Sequence, residues 1–460
     1  MFTNNLIKIK RSKEIQEEIV LFPGCVISYR LPFIEVSIRN IFDHLGIYFT
    51  ENYKFSCCPE PNGIKNSNKL LYSITAARNL ALAEKEGKSI LTPCNGCFTT
   101  FKKIKSELEE NNNFNQEINK YLNKIDLEIQ GDSEIFHMVE FFFKFSREAI
   151  KDNLRYPLMG LKVALFYGCH FLRPSNKVQI DDPLEPSMFD NLIEDLGAQS
   201  IDYELKMECC GGSLGRAGNP VLSSEIISAK LASMKEKGAD CIVVCCPQCF
   251  IQFDHLQQDL KKEEIIYDIP VLYYSELLCI ALGVDIQEMM HRHHRTQVKS
   301  LYNKIEVIKA KYEEIRKQFD LNFLLKCYSC KACDDDCIIA NKTNFKPSEI
   351  VGKLLEGKVE EVISDPSIWL CLDCYLCYEL CPMRIGLIEV FSKLRNLATE
   401  QGYTTKGYSG EFKSFYQNGT VGLFSKAART RVGLQSTKPD VGDLKELFNI
   451  IERENVKPDS

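Results

Sequence analysis

The sequence predicts two α/β units related by an internal pseudo-two-fold repeat, followed by a mostly α-helical module built around cysteine-rich loops. Three observations carry this. A set of cysteines recurs at one constant offset. Short apolar runs alternate with longer helix-forming stretches through residues 1–285, the pattern of a parallel sheet with crossover helices. A different cysteine spacing then takes over between 327 and 381.

The repeat comes first. Copy one runs Cys25, 31 residues, Cys57-Cys58, 35 residues, Cys94-Asn95-Gly96-Cys97. Copy two runs Cys169, 39 residues, Cys209-Cys210, 35 residues, Cys246-Pro247-Gln248-Cys249. Cys57, Cys58, Cys94 and Cys97 each map onto copy two by adding 152. The flanks repeat as well. Ile19-Val20-Leu21-Phe22 and Val163-Ala164-Leu165-Phe166 precede the first cysteine of each copy, which follows a glycine. Ser89-Ile90-Leu91-Thr92 and Ile242-Val243-Val244 lead into each CxxC. Ala76 to Glu86 and Ala229 to Lys237 are rich in good helix formers and predict helices after the paired cysteines. Residues 1–155 and 156–285 are thus read as the two copies, 286–325 as a connecting helix and 326–460 as the last module.

In the connecting segment Val298, Leu301, Ile305, Ile308, Tyr312, Ile315 and Phe319 alternate spacings of three and four, one apolar stripe on a helix packed against its own protein. His291, His293 and His294 beside Arg292 and Arg295 read as a solvated basic turn.

Composition narrows the function classes. Among 460 residues, 45% are hydrophobic, 26% are charged and the net charge is −6, the balance of a soluble globular chain with no basic face for nucleic acid. No apolar run approaches the roughly 18–20 residues that span a bilayer. The first residues lack the apolar core of a signal peptide, so a cytoplasmic location is expected. The 21 cysteines are an odd number in a long chain without a secretion signal, which points to metal or redox chemistry and away from a disulfide scaffold.

The last module reads Cys327-x2-Cys330-x2-Cys333-x3-Cys337, then Cys371-x2-Cys374-x2-Cys377-x3-Cys381-Pro382. An iron–sulfur cubane needs converging thiolates, and CxxCxxC supplies three from one tight loop; in two-cluster ferredoxins the fourth crosses to the other cluster. The expected sets are therefore Cys327, Cys330, Cys333 and Cys381 for one 4Fe–4S cubane, and Cys371, Cys374, Cys377 and Cys337 for the second. Eight cysteines would also suffice for two zinc ions, but this spacing with its terminal proline is that of clusters. Ser348 to Leu355, after Pro347, predicts a helix. Trp369 either packs in the core or shields a cluster.

In copies one and two, five cysteines exceed the four corners of a cubane. Adjacent cysteines point apart in extended chain, so each pair must sit in a bent loop. Pro59 and Gly211-Gly212 supply the turns.

These motifs resemble the CCG domain. Two intact copies in tandem are similar to the B subunit of heterodisulfide reductase of methanogenic archaea. The last module, with Ala428 to Leu434 beyond it, is similar to the C subunit, so the chain looks like a natural B–C fusion. The resemblance spans roughly residues 18–435 and accounts for 18 of the 21 cysteines. It implies two noncubane 4Fe–4S clusters, one on Cys25, Cys57, Cys58, Cys94 and Cys97, the other on Cys169, Cys209, Cys210, Cys246 and Cys249. In the family the coenzyme M–coenzyme B disulfide is cleaved between them. Electrons come through the two cubanes from a flavin- and iron–sulfur-containing A subunit, fed by a hydrogenase or formate dehydrogenase. No flavin is expected in this chain. Membrane-bound relatives fuse the modules in the opposite order, C before B; here B precedes C, which favours the flavin-linked type.

The remaining candidates follow from position. His170, next to Cys169, is placed either to reach substrate as a catalytic acid or to serve the fold. Arg30 and Arg173 recur in both copies near the first cysteine and would suit the anionic ends of the two coenzymes, or else act as surface charges. Cys241, Cys245 and Cys279 are expected as buried apolar residues, and His137 as a satisfied structural histidine. Two other functions fit the same motifs: a sulfur-compound oxidoreductase acting on another substrate, and an electron-relay subunit of a CCG-containing dehydrogenase.

Overall fold

A computed structural model describes residues 18–262, 264–328, 331–382, 386–422, 425–435 and 440–455. The chain divides into two compact units, one ending at Lys311 and the other starting at Tyr312.

The first unit holds both copies. Copy one begins with β1 (Ile19–Leu21), followed by α1 (Cys25–Arg30), α2 (Pro32–Leu45), α3 (Lys69–Glu84), β2 (Ser89–Thr92), α4 (Asn95–Glu110), β3 (Ile135–His137) and the short α5 (Met138–Phe141). Copy two begins with β4 (Lys162–Phe166), followed by α6 (Cys169–Leu172), β5 (Gln199–Ile201), α7 (Pro220–Glu236), β6 (Cys241–Val244), α8 (Pro247–Lys262), β7 (Val271–Tyr273) and α9 (Tyr274–Leu282). The strand orders are β1-β2-β3 and β5-β4-β6-β7. Every pairing is parallel, with Val20 opposite Ile90 and Val163 opposite Cys241. Parallel strands require crossovers, which explains the helix-forming stretches between the apolar runs. Copy one has no full counterpart of β5; a lone bridge from Val20 to Thr50 stands in its place.

The strand residues are almost wholly buried, and Phe22, Phe98 and Phe101 join Val20 and Ile90 in the core of copy one. The copies also pack on one another, and Val178 of copy two joins the core of copy one. Helix α2 of copy one packs on α9 of copy two. The Ser37 and Ser275 hydroxyls meet at 2.6 Å, and the Cys279 thiol donates to the Ser37 carbonyl at 3.3 Å.

The helices after the paired cysteines begin earlier than composition suggests. Asn68 caps α3 by accepting from the Leu71 amide, and Asn219 caps α7 with Pro220 in the first turn. Asparagine caps satisfy the free amides of a first turn, so polar residues before the helix formers set the start.

The basic turn needs one correction. His291, Arg292, His293 and Arg295 are exposed, as expected, with His293 stacked on Phe33 and His291 on Tyr302. The His294 side chain is buried, its Nε2 2.8 Å from Glu276 Oε1, which is buried too. Glu276, distant in sequence, draws this one ring inward.

Helix α10 (Lys299–Gln318) carries the chain from the first unit into the second. The predicted stripe, Val298 to Phe319, is buried throughout. The second unit is helical: α11 (Leu321–Tyr328), α12 (Ala332–Asp336), α13 (Pro347–Leu355), α14 (Leu376–Glu379) and α15 (Leu387–Glu400) frame the cysteine loops. No helix among the described residues is long and apolar enough to cross a membrane.

Candidate metal centre

In open parallel sheets, ligands bind beyond the carboxyl ends of the strands. Cys25 follows β1, Cys94 follows β2, Cys169 follows β4 and Cys246 follows β6, so the topology alone gathers the first cysteine and the CxxC of each copy at one edge. The paired cysteines come in on loops. Cys25 and Cys57 bring their sulfurs to 3.5 Å, and Cys58, whose thiol donates to the Pro59 carbonyl at 3.1 Å, also bonds to Cys97. In copy two, Cys169 and Cys209 stand 3.9 Å apart and Cys210 and Cys249 3.7 Å apart, while the Gly211 amide donates to the Cys209 sulfur at 3.4 Å. The sets also adjoin each other: Asn95, between Cys94 and Cys97, accepts from the thiol of Cys245, next to Cys246, at 3.5 Å, and Cys94 and Cys246 act on each other, Cys94 being pushed up and Cys246 held down.

So many thiols cannot all ionise together, because like charges a few ångströms apart oppose one another. Hydrogen bonding from Cys57 pushes the Cys25 thiol up, while bonds from Cys57 and Cys97 hold Cys58 down at about 6. In copy two, Cys209 holds the Cys169 thiol up, and is itself held down by Cys169 and Cys210. A donor set of five crowded sulfurs suits a cationic, multi-iron group. Among the described residues, no three His, Cys, Asp or Glu side chains form a site for a single metal ion.

Space is reserved beside the sulfurs. Gly24 and Gly168 hold φ near +78° and +75° with ψ near 159° and 158°, a region essentially closed to other residues. A Cβ on Gly24 would stand 2.9 Å from Cys97 Sγ; one on Gly168 would stand 2.7 Å from Asn95 Nδ2 and 3.3 Å from Cys249 Sγ. The glycine before each first cysteine is therefore part of the cradle.

The copies brace one another crosswise. Asn95, inside the CxxC of copy one, donates to the Tyr167 carbonyl of copy two at 2.8 Å, and the Thr99 hydroxyl donates to the His170 carbonyl. In return, the Tyr273 hydroxyl at the end of β7 donates to the carbonyl of Pro93, just before Cys94. Cys245 is buried as expected, and its thiol also bonds to Asn95 Oδ1 at 3.5 Å. Cys241 and Cys279 are fully buried. His137 is buried as a structural histidine. Its Nδ1 accepts from the Val139 amide at 3.2 Å, and burial pushes its pKa down to about 3.

His170 is half-buried, with Nδ1 3.8 Å from Cys169 Sγ, and burial lowers its pKa. Arg173 serves as a brace: Nε donates to the Pro183 carbonyl and Nη2 to that of Met207, each at 3.1 Å. Arg30 is exposed in the last turn of α1. Asn95, Thr99 and Tyr273 escape a sequence reading; only the position of Asn95 between two cysteines hints at its role.

In the second unit, two cavities open between the cysteine loops. One of about 430 Å³ is lined by Cys327, Cys333, Cys377 and Cys381. The other, about 490 Å³, is lined by Cys333, Cys337, Cys371, Cys374 and Cys377. Cys330 lies outside the described residues. Lys331 and Tyr375, at the same place in each CxxCxxC, both take left-handed φ, 55° and 61°. Arg395 ties the second loop by donating to the Cys371 carbonyl at 2.7 Å and to Asp373 at 2.9 Å. Trp369 packs on Tyr408, with Arg395 over its ring.

Comparison with known proteins agrees with this layout. The cysteine-rich domain family CCG matches residues 19–102 and 163–254, and the 4Fe–4S dicluster domain matches residues 323–385. The chain is 38% identical over 293 residues, 63% of its length and 97% of the relative, to the B subunit of the ferredoxin/F420H2-dependent CoB–CoM heterodisulfide reductase of Methanosarcina acetivorans. It is 33% identical over 283 residues, 61% of its length and 97% of the relative, to the membrane anchor subunit of the 8-methylmenaquinol:fumarate reductase of Wolinella succinogenes. Its later part is 27% identical over 130 residues, 28% of the chain and 70% of the relative, to the C subunit of the H2:CoB–CoM heterodisulfide,ferredoxin reductase of Methanothermobacter marburgensis.

Proposed function

Because the chain belongs to the family of heterodisulfide reductase B subunits, with a 4Fe–4S module like that of the C subunits following in the same polypeptide, we propose that it reduces a disulfide, most directly the coenzyme M–coenzyme B heterodisulfide. The observation that carries this reading is the meeting of two complete five-cysteine sets, with Asn95 of the first CxxC bonded to Cys245, beside Cys246, and to Tyr167 of the second copy. Disulfide reduction takes two electrons, and two adjoining sites supply a place for each product sulfur.

Cys25, Cys57, Cys58, Cys94 and Cys97 would hold one noncubane cluster, and Cys169, Cys209, Cys210, Cys246 and Cys249 the other. Such clusters, when bound, supply single electrons and sulfur-binding iron. The chain's own residues shape the site around them. Gly24 and Gly168 let backbone approach the sulfurs, and Asn95 and Tyr273 fix the two CxxC loops against each other. His170 is the proposed proton donor to a departing thiolate. Arg30 is the proposed contact for an anionic end of substrate; Arg173, with two of its five N–H donors committed to carbonyls, contributes the remaining three at most. In the second unit, Cys381 shares a cavity with Cys327 and Cys333, and Cys337 shares one with Cys371, Cys374 and Cys377, which supports crossed ligation of two cubanes. The proposed partner is a flavin- and iron–sulfur-containing A-type subunit with a hydrogenase or formate dehydrogenase upstream.

The test is anaerobic turnover of the coenzyme M–coenzyme B disulfide with a reduced viologen. Steady disulfide consumption is expected; inactivity of fully loaded protein overturns the substrate assignment. The similarity to a fumarate reductase subunit favours a second reading, an electron relay. A relay leaves the disulfide untouched while passing electrons from viologen to a partner.

Metal content is a separate prediction. Protein purified without oxygen should carry about 16 Fe, four in each of four sites. Iron near eight, with zinc as the balance, contradicts it. Crossed ligation makes another. Cys381→Ser should damage the cluster on Cys327, Cys330 and Cys333 and spare its neighbour. A spectrum in which only the Cys371 cluster changes reverses the assignment.

A further inference from the structure

The two five-cysteine sites differ by one buried charge. Lys230 of α7 has no exposed surface, donates from Nζ to the Leu205 carbonyl at 2.6 Å, and lies 5.4 Å from the centroid of the Phe166 ring. Among the described residues no carboxylate pairs with it. Burial pushes its pKa down, and Glu208 and the thiols of Cys210, Cys209 and Cys249 oppose that shift. Burying a cation without a counter-ion is costly, and negative charge close by offsets part of that cost.

Among the described residues, copy one has no fully buried lysine or arginine at its five-cysteine site. The residue 152 positions earlier is Arg78. It is only half-buried, and its Nη1 donates to the Lys54 carbonyl at 3.0 Å. The paired cysteines there are braced by the next residue, Asn79, a neutral amide that accepts from the Ser56 amide at 3.0 Å and donates to the Cys57 carbonyl at 3.1 Å. At the matching place in copy two stands Leu231. One site is thus held by a neutral amide, the other by a buried ammonium.

We propose that Lys230 is a positioning residue for charge, making the Cys169-containing site the one that takes an electron more readily. This rests on the reading that both sites hold clusters. Net charge and solvent exposure set cluster potentials, and a buried cation lowers the cost of adding negative charge beside it. The step is a single electron added from an external reductant, with no bond made or broken. Of the two facing sites, the second is reduced first.

The test is a spectroscopically followed redox titration of the full chain with dithionite, run on wild type, Lys230→Met, Lys230→Arg and Arg78→Met. Cys249→Ser identifies which signal belongs to the second site. In wild type the second site should be at least about tenfold easier to reduce than the first, a gap of about 59 mV for one electron. Lys230→Met should lower that preference about tenfold, while Lys230→Arg and Arg78→Met change it by less than about threefold. Equal potentials in wild type overturn the inference even if Lys230→Met fails to fold. So does a Lys230→Met protein with full iron and an unmoved second site. Wild-type iron near eight per chain instead removes the cluster reading, and this inference with it.

Discussion

Cys249→Ser and Cys97→Ser should each abolish disulfide turnover, and neither should leave half of it. A disulfide that accepts only one electron leaves a thiolate and a thiyl radical, and the radical is a high-energy product unless a second electron and a second sulfur acceptor stand beside it. The contact between Asn95, beside Cys94, and Cys245, beside Cys246, brings the second set close. Groups that act as a unit lose nearly everything when one is removed, so each variant should fall by roughly 10³-fold or more. The check is viologen-coupled turnover, alongside iron analysis showing that the other three clusters remain. A variant that keeps near half the wild-type rate with one cluster gone shows that the sites work independently.

Gly168→Ala should cost both stability and the second site. Its φ near +75° with ψ near 158° is open essentially to glycine alone, so a side chain there costs about 1–3 kcal/mol of backbone strain. The added Cβ would also push into Asn95 Nδ2 at 2.7 Å, breaking the Asn95–Tyr167 bond that ties copy one to copy two. Thermal unfolding of the metal-free chain should shift downward, and the loaded chain should lose about four of its roughly 16 Fe. Gly160→Ala is the control: its φ is also positive, +91°, but a Cβ there meets nothing within 4 Å. Equal iron in both variants would show that the cradle does not depend on Gly168.

Much of this was legible in the sequence because cysteine spacing is local and repeats. The constant offset defined both copies, and the apolar runs before Cys25, Cys94, Cys169 and Cys246 became the strands that carry them. Less legible was whatever depends on contacts between distant residues. Nothing near Tyr273 announces that its hydroxyl will reach Pro93, and nothing around His294 shows that Glu276 will meet it in the interior. Lys230 sits in a helix-forming stretch like any surface lysine; only the fold turns it inward. The duplication is also imperfect in a way the cysteine spacing does not show: where copy two has β5, copy one has the bridge from Val20 to Thr50.

The crosswise brace also sets a timetable for synthesis. Tyr273 braces the loop before Cys94 through the Pro93 carbonyl, so this support leaves the ribosome 180 residues after the residue it holds. At roughly 5–20 residues per second, that is an interval of about 10–35 s. During it, five closely spaced thiols of copy one lie in a chain that lacks the partner half of their pocket. On the proposed ligand sets, nascent protein is the stage at which these thiols are least protected from oxidation or from the wrong metal, and cluster delivery after synthesis of the second copy is the expected order.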